Sequence, residues 1–403
     1  MPTLLQIDTC LNTGSTGRIT ETIGRMASKN GWDCYIIHGA RYANPPSCMK
    51  SYQTVTKFGE YLHYVESFLF DSHGLSSRHA TRHAIKWIKE IKPDIIHLHC
   101  IHGYYLNYRI LFEYLNSIPV PIVWTFHDCW AFTGHCAYFD RVTCEKWKTQ
   151  CEECPLIGDY PKALIDASER NYKLKRSLFT QNSRLHIVTV SKWLESLARQ
   201  SFFKSASIQT IYNGIDISTF KPSDSELLKA KLGLRGKRIL LAAATVWAER
   251  KGFVDYIELS KELQKDTVII LLGLNDSQIS DLPENVIGLK RTESVMELAQ
   301  FYSMADIVLN LSYEETFGLT TAEGMACGTP SVVYNATASP ELVTKTTGIV
   351  VEPGDIEGVA KAVQLLLSKK KPVLACRERA VKYFNKEERF QEYINLYEEL
   401  IKQ

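Results

Sequence analysis

The chain has 403 residues, 45% hydrophobic and 23% charged, with 47 Lys and Arg against 45 Asp and Glu. A formal charge of +2 gives no global field for nucleic acid, and the composition excludes a disordered or collagen-like chain. One core seldom grows beyond about 250–300 residues, so two domains are expected. No run reaches the roughly 18 apolar residues of a membrane-crossing helix. Met1-Pro2-Thr3 leads into an apolar stretch without a basic region before it, which predicts no secretory leader and a cytoplasmic protein. The 11 Cys are then expected as thiols or metal ligands, not disulfides.

Short β-branched runs alternate with amphipathic stretches along the whole chain. The first predicted strand, 3–7, ends in Asp8-Thr9-Cys10-Leu11, and Asn12-Thr13-Gly14-Ser15-Thr16-Gly17-Arg18 opens a helix. Gly14 and Gly17 at such a turn let an anion approach backbone N–H groups, and Arg18 adds a charged contact on the acceptor side. A plain N-cap by Ser15 or Thr16 is the alternative. After strand 35–38, the apolar Phe58, Tyr61, Leu62, Tyr64, Val65, Phe68, Leu69 and Phe70 precede the basic Arg78, His79, Arg82, His83, Lys86 and Lys89. That succession suits an anionic membrane surface, or equally a core-facing helix with a solvated basic neighbour.

Strand 95–99 carries His97 and His99, with His102 just beyond. His97 and His99 share one face of a buried strand, which favours core or supporting histidines over metal ligands. Strand 122–126 ends in His127 and Asp128. His127 reads as a donor to a sugar hydroxyl or developing charge, and Asp128 as the group that orients it or binds an acceptor hydroxyl. A satisfied loop histidine is the alternative.

A cysteine-rich stretch, about 129–160, then holds Cys129, Cys136, Cys144, Cys151 and Cys154. Cys151-Glu152-Glu153-Cys154 is a C-x₂-C knuckle, and Cys136 and Cys144 would complete a tetrahedral thiolate set for one structural zinc. Free thiols are the alternative. Strands 186–190 and 209–212 close the first series. Asn213-Gly214-Ile215-Asp216 marks the boundary, placing an N-terminal domain at 1–218 and a C-terminal domain at 219–385.

The second series has strands at 239–243, 268–272, 306–310, 331–333 and 348–351. Arg250 and Lys251 follow its first strand, where a phosphate needs positive charge, although a solvated basic pair reads the same way. After 306–310 comes Ser312-Tyr313-Glu314-Glu315-Thr316-Phe317-Gly318-Leu319-Thr320-Thr321-Ala322-Glu323, with a helix expected near Phe317-Gly318-Leu319. Phe390, Tyr393, Ile394, Tyr397 and Leu400 recur at helical spacing, so 386–403 is expected as a helix packing back on the first domain. Two series of strands apolar on both faces predict an α/β protein of two doubly wound domains, facing across a cleft with ligands at the strand ends.

The run from Glu315 to Glu323, followed by Gly-Met-Ala-Cys-Gly-Thr-Pro, resembles the E-x₇-E signature of retaining GT-B glycosyltransferases of family 4. The 213–222 and 299–306 segments resemble the same family. His127-Asp128 with the cysteine-rich stretch is similar to its bacterial surface-polysaccharide subgroup. The resemblance implies a UDP- or GDP-linked sugar donor and an oligosaccharide or lipid-linked acceptor. It implies that Glu315 contacts donor-sugar hydroxyls, Glu323 the ribose and Lys251 the diphosphate. Phe317, Gly318 and Leu319 would line the donor, Arg291 would lie near the base, His127 by the reacting sugar, and Gly14 to Gly17 near phosphate or acceptor. It further implies transfer with retention and without a catalytic metal. One departure stands out: Ala244-Thr245 occupies the place of the family's usual Gly-Arg, so Arg250 is expected to supply the second positive charge. A silent nucleotide-sugar-binding partner and a GT-B-fold epimerase are the rival readings.

Overall fold

Leu4, Leu5 and Ile7 are wholly buried, and so are the equivalent residues of the other central strands. Runs apolar on both faces can lie only in the middle of a layered α/β unit, with helices on both sides. The computed structural model describes residues 1–40 and 45–402 and divides into two such units.

The first unit comprises Met1–Ile211 and Phe390–Gln403. Its strands are β1 (Thr3–Ile7), β2 (Asp33–His38), β3 (Lys50–Gln53), β4 (Ile95–Leu98), β5 (Ile122–Phe126), β6 (Leu185–Thr189) and β7 (Ser207–Thr210). They form one sheet in the order β3-β2-β1-β4-β5-β6-β7, every pair parallel. The order reverses between β1 and β4, and such a switch point opens a ligand crevice beyond the strands' carboxyl ends.

The second unit, Tyr212–Arg389, contains β8 (Arg238–Ala243), β9 (Thr267–Leu272), β10 (Val286–Leu289), β11 (Ile307–Asn310), β12 (Ser331–Tyr334) and β13 (Gly348–Val351). Its order is β10-β9-β8-β11-β12-β13, again parallel throughout, with the switch point between β8 and β11. The dividing points at 211/212 and 389/390 differ from the 218/219 and 385/386 boundaries read from the sequence. The turn at Asn213-Gly214 belongs to the second unit, because Ile215 pairs with Asn385 and Lys386 bonds Asp216 at 2.7 Å.

The last helix, Lys386–Leu400, crosses the second dividing point. Phe390, Tyr393, Ile394, Tyr397 and Leu400 lie in the first unit's core with Leu4, Ile23, Trp32 and Ile95. Two polar contacts fix its register: Tyr397 OH bonds His97 Nδ1 at 2.6 Å, and Thr125 Oγ1 donates to Tyr393 OH at 3.2 Å. Large buried aromatics with satisfied hydroxyls hold a helix far more firmly than its intrinsic propensity would.

Candidate active site

In the second unit both switch-point loops carry charge. The loop after β8 ends in a short 3₁₀ turn, Glu249–Lys251, stopped by Gly252 at φ +68°. A Cβ at Gly252 would collide with the carbonyl oxygen of Leu311, so only glycine lets the two loops lie this close. As a result Lys251 Nζ pairs with Glu315 Oε1 from the loop after β11. Both side chains are mostly buried, at 17% and 16% exposed. Burial pulls Lys251 below the ordinary lysine value, and the Glu315 charge opposes that pull. Arg250 Nη1 donates to Glu314 O at 3.2 Å, and Glu315 N donates to Thr337 Oγ1 at 2.8 Å, so the backbone of both loops is tied down.

The helix Leu319–Ala326 begins beside this pair. Gly318, at φ +95°, is its N-cap, and no side chain caps the first turn. An uncapped helix start offers N–H groups and the positive end of the helix dipole to an anion. Phe317 is buried against Tyr212 and Phe384. Glu323 Oε2 accepts from Tyr302 OH at 2.9 Å. Arg291 is exposed on the segment after β10, and Thr245 is exposed after β8.

In the first unit the loops after β4 and β5 carry histidines. His127 and Asp128 follow β5, but they do not pair with each other. Asp128 Oδ2 bonds His102 Nε2 at 3.1 Å and its Oδ1 accepts from Trp130 N at 2.9 Å. The expectation that Asp128 orients His127 is therefore corrected. Burial raises the Asp128 carboxyl, yet the His102 contacts and the Trp130 amide outweigh it and hold it below the usual range. His102 also stacks on Trp130, 4.8 Å between ring centres.

His127 is oriented instead by His99, whose Nδ1 lies 3.1 Å from His127 Nε2. The other His99 nitrogen lies 3.1 Å from Gln6 Oε1, while Gln6 Nε2 donates to Thr20 O at 2.9 Å. This chain of partners assigns the protons. Gln6 Oε1 can only accept, so His99 carries its proton on Nε2 and presents a lone pair at Nδ1. His127 then donates from Nε2 and keeps Nδ1 as an acceptor. Burial lowers His127 to about 4 and pushes His99 well below the ordinary value, so both rings are neutral near pH 7. His97 lies in the core, bonded to Thr125 and Tyr397.

The loop after β1 turns into the helix Gly14–Lys29. Its N-cap is Thr13, without a side-chain bond, which corrects the Ser15 and Thr16 capping alternative. Gly17 is buried, and a Cβ there would stand 3.0 Å from Cys10 Cβ, whereas Gly14 and Arg18 are exposed. Asp8 is completely buried at the strand end, accepting from Thr9 N and Thr20 Oγ1. Burial raises it to about 6.

Known families match both units in this order. Glycosyltransferase Family 4 matches residues 16–219, and Glycosyl transferases group 1 matches residues 224–383. The chain belongs to glycosyltransferase family 4. An Escherichia coli (strain K12) protein described provisionally as the colanic acid biosynthesis glycosyl transferase WcaC is 25% identical over 330 residues, 76% of this chain and 77% of its own. The N-acetyl-alpha-D-glucosaminyl L-malate synthase of Bacillus anthracis is 29% identical over 45% of this chain and 50% of its own. Among solved structures, sucrose-phosphate synthase from Thermosynechococcus elongatus aligns at TM-score 0.74 and 18% identity, over 99% of each chain. Anabaena HepE, solved in complex with UDP, aligns at 0.68 and 16%, over 99% of this chain and 100% of its own. These likenesses establish the two-domain GT-B fold.

As a family 4 glycosyltransferase, the chain places its E-x₇-E run at the second unit's switch point. Glu315 lies in the loop after β11, and Glu323 lies within the following helix. The sequence reading missed His99 as the orienting group, His102 as the partner of Asp128, and Tyr302 as the partner of Glu323. His99 and His102 carried a signal, since both stood in the histidine run after β4. Tyr302 carried none.

Proposed function

We propose that the chain transfers a sugar, with retention of anomeric configuration, from a UDP- or GDP-linked donor to a lipid-linked precursor of a surface polysaccharide. The observation that carries this reading is the Lys251–Glu315 pair beside the uncapped helix at Gly318. In the structure the two charges satisfy each other. A donor diphosphate would draw Lys251 away from Glu315, with Arg250 and the amides near Gly318 and Leu319 spreading the remaining charge. The released Glu315 carboxylate would then accept from donor-sugar hydroxyls. Preorganised donors of this kind stabilise a leaving diphosphate without costly rearrangement. Glu323 is assigned to the ribose and Arg291 to the base.

From the first unit, the proposal assigns the Nδ1 acceptor of His127 to a sugar hydroxyl, Gly14 and Gly17 to phosphate or acceptor, and Asp128 and Arg18 to the acceptor. In the transfer the acceptor oxygen bonds the anomeric carbon as the carbon–phosphate oxygen bond breaks. The acceptor proton passes to the departing diphosphate, so no enzyme nucleophile is required. HepE's complexes with UDP and with UDP-glucose and WcaC's description support the donor class and the polysaccharide setting.

The proposal has the protein meet its acceptor at the cytoplasmic membrane surface, a reading supported by Phe58, Tyr61, Leu62 and Phe70, which are 52–68% exposed on the helix Lys57–Phe70. Arg78, Arg82, Lys86 and Lys89 are exposed on the following helix, Arg78–Ile91. No helix among the described residues is long and apolar enough to cross a membrane. Apolar and basic exposed faces together suit a surface-bound helix on anionic lipid. Salt-sensitive co-sedimentation with anionic vesicles checks this placement, and its absence refutes it. Incubation with a panel of UDP- and GDP-sugars and a lipid-linked acceptor, read by mass spectrometry, tests the activity. A glycosylated acceptor supports transfer. Interconversion of the donor sugar would establish an epimerase instead, and donor binding without turnover a silent partner.

A further inference from the structure

Among the described residues no three His, Cys, Asp or Glu side chains are placed to hold a metal ion, so Cys136, Cys144, Cys151 and Cys154 do not form the expected tetrathiolate. A strained turn lies elsewhere, beside the candidate active site. Among the described residues two β-branched side chains stand at positive φ, Thr143 and Thr337, both at +49°. In that left-handed region Cβ crowds the following carbonyl oxygen, and branching at Cβ adds to the crowding. Thr143 ends a 3₁₀ turn in the cysteine-rich stretch. Thr337 stands between β12 and the short helix Ser339–Leu342. Glycine would take this backbone freely, so a threonine here needs a contact that offsets the strain.

That contact is with Glu315. Glu315 N donates to Thr337 Oγ1 at 2.8 Å, and Ala338 N donates to Glu315 O at 3.1 Å. The left-handed turn thus sets a side-chain acceptor and a backbone donor against both main-chain polar groups of one residue. Before Glu315 the loop is already fixed. Tyr313 N donates to Arg250 O at 2.9 Å, and Tyr313 OH donates to Asp255 Oδ2 at 2.8 Å. Tyr334 OH, at the end of β12, donates to the same Asp255 oxygen at 2.6 Å. After Glu315, Phe317 is buried and Gly318 caps the helix Leu319–Ala326. Glu315 lies between these anchors, and its carboxylate meets Lys251. A glutamate side chain has several rotatable bonds, so its carboxylate is placed only as well as its backbone is held.

We infer that Thr337 is a positioning residue for Glu315: its hydroxyl, presented by the strained turn, fixes the backbone from which the carboxylate reaches Lys251 and the donor sugar. The assignment rests on the reading of Glu315 as the group that accepts from donor-sugar hydroxyls. Thr337 acts through the main chain of Glu315. A hydroxyl on Cβ can accept an N–H while keeping its own proton, and serine supplies the same group at the same distance. Valine matches the shape and the branching of threonine but offers no acceptor. Glycine removes the strain and the acceptor together. A turn kept only for its backbone shape would favour glycine, whereas a turn kept for its hydroxyl would reject it. Misplacing a reacting group by about 1 Å can cost about 10²-fold in rate, so a loosened Glu315 is legible in turnover.

Thr337→Ser, Thr337→Val and Thr337→Gly in the full chain separate these cases. At saturating donor, Thr337→Ser is expected to keep turnover within about threefold of the parent, whereas Thr337→Val and Thr337→Gly each lose roughly 10–100-fold. Melting should not follow that order, because Thr337→Gly relieves the backbone. Adding Thr337→Val to Glu315→Gln should cost little further turnover, since the hydroxyl acts through that carboxylate. A second measurement needs no turnover. By hydrogen exchange read with mass spectrometry, residues 312–318 should exchange about tenfold faster in Thr337→Val, with β8 and β11 unchanged. Thr337→Ser should exchange like the parent. A parent chain that turns over no donor refutes the transfer reading, and the exchange comparison still decides the positioning. Thr337→Gly with parental turnover overturns the role of Thr337, and so does Thr337→Val with parental exchange over 312–318. Should Thr337→Val not fold, Thr337→Gly against Thr337→Ser carries both comparisons.

Discussion

The two units both carry polar groups in loops beyond the carboxyl ends of central strands, but with different chemistry. Beyond β8 and β11 stands an ion pair, Lys251 with Glu315, beside an uncapped helix start. Beyond β4 and β5 stand neutral imidazoles, with a carboxylate held by His102 and not by the catalytic candidate. A charged pair that can separate suits a diphosphate, whose charge must be matched in a poorly solvated site. A row of neutral rings with fixed tautomers suits sugar hydroxyls, which need a donor or acceptor at one place and no net charge. Strand order therefore fixes where ligands bind, while a few side chains fix which ligands.

The contrast breaks most visibly at Lys251. Lys251→Ala and Glu315→Gln are each expected to lower turnover at saturating donor by about 10²–10³-fold, as does removing one preorganised stabilising group. Thermal melting should shift little, because the pair lies at loop ends and not in the core. Initial rates alongside scanning calorimetry separate the two effects, and near-normal turnover would remove the charge-based role of this unit.

Asp8 sharpens the contrast from the other side, as an acid that packing keeps near neutrality. Its carboxyl is raised by burial from 3.8 to about 6, so the folded state binds the proton more tightly than the unfolded chain. The resulting stabilisation is complete below pH 3.8 and is lost as pH rises through about 6, amounting to about 3 kcal/mol. Denaturant titrations of Asp8→Asn between these pH values should lose that dependence.

A smaller effect is expected at His99. His99→Phe leaves His127 Nε2–H without its acceptor and frees the ring to change tautomer. Loss of one such bond costs about 1–2 kcal/mol, or roughly tenfold in turnover. Imidazole ¹⁵N shifts of His127 would report the tautomer directly. An unchanged His127 spectrum in the variant would show that His99 does not fix it.

The smallest change is a control for fold. A Cβ at Gly324 would stand 2.6 Å from Val308 Cγ2, on the helix carrying Glu323 against β11. Overpacking of about 1–3 kcal/mol, offset by about 1 kcal/mol of helix propensity, predicts that Gly324→Ala lowers stability by about 1 kcal/mol. Donor affinity measured below the melting range should hold if Glu323 keeps its place.

Much of the fold is legible because buried parallel strands have a plain signature. The strands β1, β5 and β13 run over the same residues as the apolar stretches that predicted them. Two strands escaped. β3 is the polar Lys50-Ser51-Tyr52-Gln53 at a sheet edge, largely exposed, so it needs no apolar run. β10 is a short edge strand containing Gly288, again with little burial to select its residues.

The sequence by itself determined the two doubly wound domains, the strand-end positions of Lys251, Glu315 and His127, and the presence of a cysteine cluster. These are local properties, carried by residue type and spacing within one strand, loop or knuckle. Only the tertiary structure decided which groups meet. Asp128 finds His102 rather than its neighbour His127, Gln6 sets the proton of His99, Asp71 anchors His135 and Tyr302 reaches Glu323. Such pairings depend on crossovers that bring distant loops to one sheet end, and on burial that makes each unpaired polar atom costly. Neither is written in the spacing of nearby residues.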